Sequence, residues 1–142
     1  AILAPDDSSL LGLVSNVAPT IAGGNACVVL ASESKPLCGV SFAEVLHASD
    51  VPAGVVNVLT GFRSELSDQF ASHMDVNAII FCDGATSTAR TIQELASDNI
   101  KRVVARGDVE LARGTGSSLE ASGDVTLSTV ADVEELLRHP VE

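Results

Sequence analysis

Apolar residues in this chain fall in short, dense runs separated by Gly, Pro and Ser, and two of these runs set the pattern for the rest. The first is Gly24 to Leu37, GNACVVLASESKPL; the second is Ala48 to Gly61, ASDVPAGVVNVLTG. Small and β-branched apolar residues without a polar alternation read as strands buried on both faces. The residues between the two runs suffice for one helix. The pair therefore predicts the strand, crossover helix, strand unit of a parallel sheet.

The remaining pattern extends that unit in both directions. AILAP predicts a short first strand, and DDSS offers N-cap side chains to a helix in which Leu10, Leu11, Val14, Val17 and Ile21 recur at helical spacing. Pro19 should kink or end this helix, and Gly23 with Gly24 should stop it. Residues 26–30 give strand two. Pro36 opens the next helix, where Ser41, Glu44 and His47 fall three apart and leave the other faces apolar. Residues 55–59 give strand three, Ser64 caps a helix that carries Leu66 and Phe70 on one side, and residues 77–81 give strand four. The loop CDGATST leads into a helix with Ala89, Ile92, Leu95 and Ala96 inward, and IKRVVA is strand five.

Five strands alternating with four helices over residues 1–106 predict a three-layer α/β/α domain with a Rossmann-like parallel sheet. Beyond Arg106 the rhythm changes. Residues 107–142 read as a Gly- and Ser-rich loop, a short strand at 125–127 and an amphipathic helix. Thr129 with Asp132 opens that helix, Val130, Val133, Leu136 and Leu137 form its apolar side, and Pro140 ends it. This tail is expected to pack on the sheet or on a domain beyond it.

Composition narrows the class of function. A chain of 142 residues suits one domain, and such a domain buries about 70% of the surface its unfolded chain exposes. The sequence is 46% hydrophobic but only 3% aromatic, without Trp or Tyr, so the core is built from aliphatic residues. A net charge of −11 with eight Lys and Arg spread thinly excludes a nucleic-acid binder. No run of 18 apolar residues occurs, which argues against a membrane span, and no basic segment leads into an apolar one near Ala1. Cys27, Cys38 and Cys82 fit neither a disulfide framework nor a zinc site, and read as buried thiols of a cytoplasmic protein. The chain starts at Ala1, inside or just before a strand, and is read as part of something longer.

GNACVVLASESKPL and DVPAGVVNVLTGF resemble the cofactor-binding domain of the aldehyde dehydrogenases, in a register that holds without a gap from Pro5 to Phe81. That resemblance implies NAD as cofactor, with Pro5, Glu33, Phe81, Gly84 and Thr86 as vestigial cofactor-binding positions. Glu33 matches the ribose-binding acid of the family, whose carboxylate accepts from vicinal hydroxyls. Around it the pattern departs from the family. Leu30 stands for the Lys three residues before the acid, and Arg63 for a Gly beside the adenine, where its long side chain either fills the groove or pairs with a phosphate. The turn CDGATSTAR keeps Gly84 and Thr86, gains a residue near Asp83, and has Ala85 and Ala89 for a Ser and a second Gly. NAD binding is therefore expected to be weak or absent.

The catalytic positions depart further. The family stabilises an oxyanion with an Asn, where this register gives Asp7, an ionised carboxylate that repels developing negative charge. Its general base is a Glu after strand five, where Arg106 stands, and Arg does not accept a proton near neutral pH. The family nucleophile lies further along, and no Cys follows Cys82, which itself matches a cofactor-side Thr. No metal site is expected. His47, His73 and His139 lie apart from plausible metal partners and read as surface or capping residues.

The pattern resembles the second, degenerate dehydrogenase-like region of aldehyde dehydrogenase family 16. It implies a pseudo-enzyme domain with a structural or subunit-association role, partnered by the rest of a parent chain, another dehydrogenase subunit or a second copy. In the family the helix matching residues 86–97 lies near a dimer contact. The alternative is an NAD-binding fragment of an oxidoreductase acting on aldehydes. A third class is a binding module for another small molecule, since a doubly wound sheet keeps a crevice at its carboxyl edge whatever residues line it.

Overall fold

A computed structural model describes residues 1–82 and 86–105, with the side chains of Thr86 and Ser87 left aside. The expected strand and helix of the tail, at 125–127 and around 130–137, lie outside the described residues, as do Asp83, Gly84 and Ala85.

The elements alternate as β1 (Ile2–Leu3), α1 (Leu11–Ala22), β2 (Cys27–Leu30), α2 (Pro36–His47), β3 (Val56–Leu59), α3 (Arg63–Ser72), β4 (Ala78–Phe81), α4 (Thr86–Ala96) and β5 (Arg102–Ala105). All strand pairs are parallel, in the order β3-β2-β1-β4-β5, so the five-stranded sheet is the doubly wound one that the alternation predicts. Ile2 and Leu3 pair with Val29 and Leu30 on one side and with Ile80 and Phe81 on the other. The shortest strand is thus the centre of the sheet.

Two apolar layers form on the two faces of that centre. Ile2, Ala4, Leu13, Val17, Cys27, Val29 and Ile80 pack together under α1 and α2, with Ile21 and Phe42 against them. Leu3, Leu30, Phe70, Ala71, Ile79, Phe81 and Ile92 form the other layer under α3 and α4, with Leu66, Ala89 and Leu95. Each Val, Leu, Ile or Phe side chain among them contributes about 1.5–3 kcal/mol when fully buried. The inward sides expected for α3 and α4 are those observed.

Several local expectations are corrected. β3 is not buried on both faces: it is the sheet edge, and Asn57 and Leu59 face solvent while Val56 and Val58 are half-covered. Of the two effects expected of Pro19, ending the helix does not occur: α1 runs on to Ala22 and stops at Gly23, followed by Gly24 at φ 79°. The side chains of DDSS make no cap to α1, whose N-cap residue is Leu10, and Ser64 does not cap α3, which already begins at Arg63. Strand five does not start at Ile100, which takes a left-handed φ of 56° to close the 3-10 turn Ser97–Asn99. The apolar faces of α2 are only partly covered, since this helix meets Ala31, just past β2, and Val58 of β3 through Gly39 and leaves Leu37 and Val45 in solvent.

Among the described residues no helix is long and apolar enough to cross a membrane.

Candidate functional site at the carboxyl edge of the sheet

In a doubly wound sheet the chain leaves the central strand in both directions, and ligands bind outside the carboxyl ends at that switch point. Here the switch lies between β1 and β4. Among the described residues, the segments at this carboxyl edge are residues 4–7 after β1, 31–35 after β2 and the start of α3 after β3.

These segments are tied to one another by their own side chains. One oxygen of the Asp6 carboxylate accepts from the Ser32 hydroxyl at 2.7 Å, the Glu33 amide at 2.7 Å and the Ser34 amide at 3.3 Å. Ser32, which is 1% exposed, in turn accepts from the Lys35 amide at 3.1 Å. A loop with successive amides aimed inward is a ready anion cradle. In this protein the anion it holds is Asp6.

Glu33 is engaged as well. Its Oε2 accepts from the backbone amide of Arg63 at 2.9 Å, satisfying one of the donors that every helix start leaves unpaired and placing negative charge at the N-terminus of α3. From the same residue the guanidinium reaches back to donate to the carbonyl oxygen of Ala4, just past β1. Arg63 therefore spans the distance from the loop after β2 to the end of the central strand.

Burial alone would raise the Asp6 carboxyl, but the Ser32 hydroxyl, the Ser34 and Glu33 amides and the nearby Arg63 charge together hold it below its ordinary value of 3.8. A group so depressed stabilises the fold above its ordinary pKa and ceases to do so as the pH falls through its folded value. Asp6→Asn should accordingly melt below the native chain from neutral pH down to about pH 4, and the gap should close as the pH drops further. A gap that persists unchanged to about pH 2 would mean that the charge of Asp6 plays no part.

The other expected site residues are placed as follows. Pro5 stands beside the switch point, but its ring lies so closely on α1 that a Cβ at Gly12 would overlap Pro5 Cγ. Phe81 is 0% exposed, with its ring in the layer under α4. Thr86 is the first residue of α4, and Gly84 lies outside the described residues. Leu30 is 1% exposed at the end of β2, so that position sends a side chain into the core and no cation toward a ligand. Lys35 is exposed at the N-cap of α2, away from the place a Lys at 30 would hold.

Asp7 is exposed in the loop after β1. Cys82 is half-buried at the end of β4, its amide donating to the carbonyl of Leu3. Burial pushes the Cys27 thiol above its ordinary value, and Cys38 accepts from the Ser9 hydroxyl at 3.4 Å. The structure thus brings together Asp6, Ser32, Glu33 and Arg63, of which sequence reasoning singled out Glu33 and Arg63. Asp6 reads in the sequence as charge at a helix start, and only the fold shows it crossing to the β2 loop. Among the described residues no group of His, Cys, Asp and Glu is placed to hold a metal ion. A shallow apolar groove lined by Ala22, Asn25, Pro52 and Val55 lies at the opposite, amino end of the sheet, far from this chemistry.

Comparison with known proteins gives this edge its context. A family model described as the aldehyde dehydrogenase family matches residues 1–109. A hydroxyisobutyraldehyde dehydrogenase of Mycolicibacterium austroafricanum is 38% identical over 133 residues, 94% of this chain and 25% of the relative. A 2-hydroxymuconic semialdehyde dehydrogenase of Pseudomonas putida is 38% identical over 103 residues, 72% of this chain and 21% of its own length. Among solved structures, the aldehyde dehydrogenase KauB of Pseudomonas aeruginosa superposes with a TM-score of 0.71 at 30% identity, covering 75% of this chain and 21% of that one. Aldehyde dehydrogenase C of Pseudomonas syringae, solved as a mutant with NAD+ and octanal, gives 0.70 at 29% identity over 73% of this chain and 21% of its own. The chain spans about a quarter of the length of the curated relatives it matches.

Proposed function

The chain belongs to the aldehyde dehydrogenase family, and from that premise we propose that these residues form a cofactor-type domain without catalytic function, serving structure or subunit association. The observation that carries this reading is the self-satisfied carboxyl edge. The amides that would face an incoming anion already hold the Asp6 carboxylate, and the Glu33 carboxylate already holds an amide.

Three substitutions of unlike function support it. By the family resemblance Asp7 takes the place of the oxyanion donor, Leu30 that of a cofactor-side cation and Arg106 that of the general base. Each removes a different part of the reaction: charge stabilisation, cofactor attraction and proton transfer. A chain shorter than its relatives accounts for none of the three, because all lie within it. The exposed apolar residues of α2, Leu37 at 77% and Val45 at 65%, suit a surface that packs on the rest of a parent chain or on another subunit.

The second reading is an NAD-binding part of an active oxidoreductase. It draws on the NAD+ bound in the Pseudomonas syringae relative at 29% identity. An activity assay separates the two. Whether tested as these residues or within any longer chain that carries them as its sole dehydrogenase-like region, NAD-dependent oxidation of aldehydes and ester hydrolysis should both stay at the uncatalysed rate. Turnover that disappears in Cys82→Ala would overturn the inactive reading.

A further inference from the structure

We propose that the open edge of β3, with the outer side of α2 above it, pairs with the same surface of a second copy of this chain, the two β3 strands running antiparallel about a two-fold axis at Asn57. This names a partner for the subunit association proposed above and rests on that reading.

The backbone of the edge supplies the first part of the argument. β3 is the last strand on its side of the sheet. The amides of Cys27 and Ala31 donate to the carbonyls of Val55 and Leu59 at 2.7 and 2.9 Å. A parallel ladder engages alternate residues of each strand, so the N–H and C=O groups of Val56 and Val58 point away from β2. No described backbone group pairs with them. Natural edges are guarded by Lys, Pro or a bulge. Val56–Leu59 has none of these, and its register with β2 runs unbroken. With Asn57 opposite Asn57 of the second copy, Val56 of each copy faces Val58 of the other, and each pair exchanges both of its hydrogen bonds.

The helix above the edge fits the same axis. Gly39 lies on the sheet against Ala31 and Val58, and Cys38 faces the start of α1 through Ser9. At about 3.6 residues per turn, the side of α2 turned outward over β3 is then that of Val40, Ala43, Glu44 and His47. A rise of about 1.5 Å per residue of helix against about 3.3 Å of strand brings Val40 and Ala43 level with Asn57. Val40, 44% exposed in the single chain, packs beside Ala43 of the second copy.

Charge complementarity selects a second copy as the occupant. Lys35 stands at the N-terminal end of α2, where helix polarity disfavours a cation, and Glu44 and Asp50 stand towards its C-terminal end, where it disfavours acids. All three are exposed, and none forms an ion pair among the described residues. The two-fold axis runs the two α2 helices antiparallel, which brings Lys35 of each copy beside Glu44 and Asp50 of the other. Such a contact uses one surface twice and closes on itself.

The test is sedimentation equilibrium of the native chain, Val56→Pro and Lys35→Glu from about 1 μM to about 1 mM, each first checked for a cooperative melt. Proline at Val56 removes an outward N–H and no bond to β2, and Lys35→Glu serves if that chain does not fold. The native chain should pass from one chain mass to two as its concentration rises. Each substitution should raise the dissociation constant at least about tenfold, because the axis makes every change count twice. Adding Asp50→Lys to Lys35→Glu, at the native net charge, should recover most of the loss; no recovery would overturn the antiparallel pairing. A native chain that keeps one mass throughout overturns the proposal, and so does a dimer indifferent to both substitutions, which would associate through another surface. None of these results touches the inactive reading, which falls instead on aldehyde turnover.

Discussion

Phe81→Ala should destabilise the fold by about 3–5 kcal/mol, the cost of emptying a fully buried Phe site whose surroundings relax only in part. The ring is 0% exposed and packs among Leu3, Leu30, Phe70 and Ile92, and its strand is hydrogen-bonded on both sides, to β1 and to β5. Neither neighbour can move in to fill the space without leaving the ladder. Against the usual 5–15 kcal/mol of a whole domain, the loss should show as a large fall in the urea midpoint with the slope preserved. A change below about 1 kcal/mol would place the ring at the surface, where it could meet a ligand. The same measurement therefore decides between the two roles open to this residue.

Gly39→Val should cost about 1–3 kcal/mol through overpacking, less a few tenths regained from the better helix propensity. A Cβ at Gly39 would stand 2.6 Å from the Cβ of Ala31 and 3.5 Å from Val58 Cγ1. Ala31 has no flexible end to swing aside, so α2 must lift from the sheet or β2 must shift. Ala31 adjoins Ser32, whose hydroxyl joins Asp6 to the β2 loop. The strain should therefore reach the carboxyl edge as well as the melting temperature. The double substitution with Ala31→Gly removes the opposing atom and should recover most of the loss. A single substitution within about 0.5 kcal/mol of the native chain would contradict the close helix–sheet contact.

The fold was legible because long-range and local signals agree. Apolar runs at 27–30 and 78–81, helix starts such as Pro36 and the glycines at 23 and 24 each mark an element that the structure contains. Where the reading departs, a neighbour decides. Val56 to Leu59 looks like a central strand in sequence, but sheet order makes it an edge. Ile100 looks like the first residue of a strand, but the turn before β5 demands a left-handed residue there.

The candidate site was legible only as a set of positions. That Glu33 and Arg63 belong to the edge follows from register with the family. That one engages the other through a backbone amide does not, because a hydrogen bond between residues 30 apart leaves no trace in spacing. Asp6 shows the same limit: its charge suggests a helix start, whereas its three partners lie in the β2 loop. Pro5 and Phe81 are cofactor-side positions by the family resemblance alone, and in the structure their side chains pack on α1 and in the core.

We propose a dinucleotide-type fold whose carboxyl edge is occupied by its own side chains, Asp6 on the β2-loop amides and Glu33 on the Arg63 amide. Titration of the native chain with NAD, beside melting curves with and without about 1 mM of it, tests this most directly. No saturable heat and an unmoved melting midpoint are expected. A dissociation constant near 10 μM, which at that concentration would stabilise the fold by about 2.7 kcal/mol and raise the midpoint by several degrees, would contradict it.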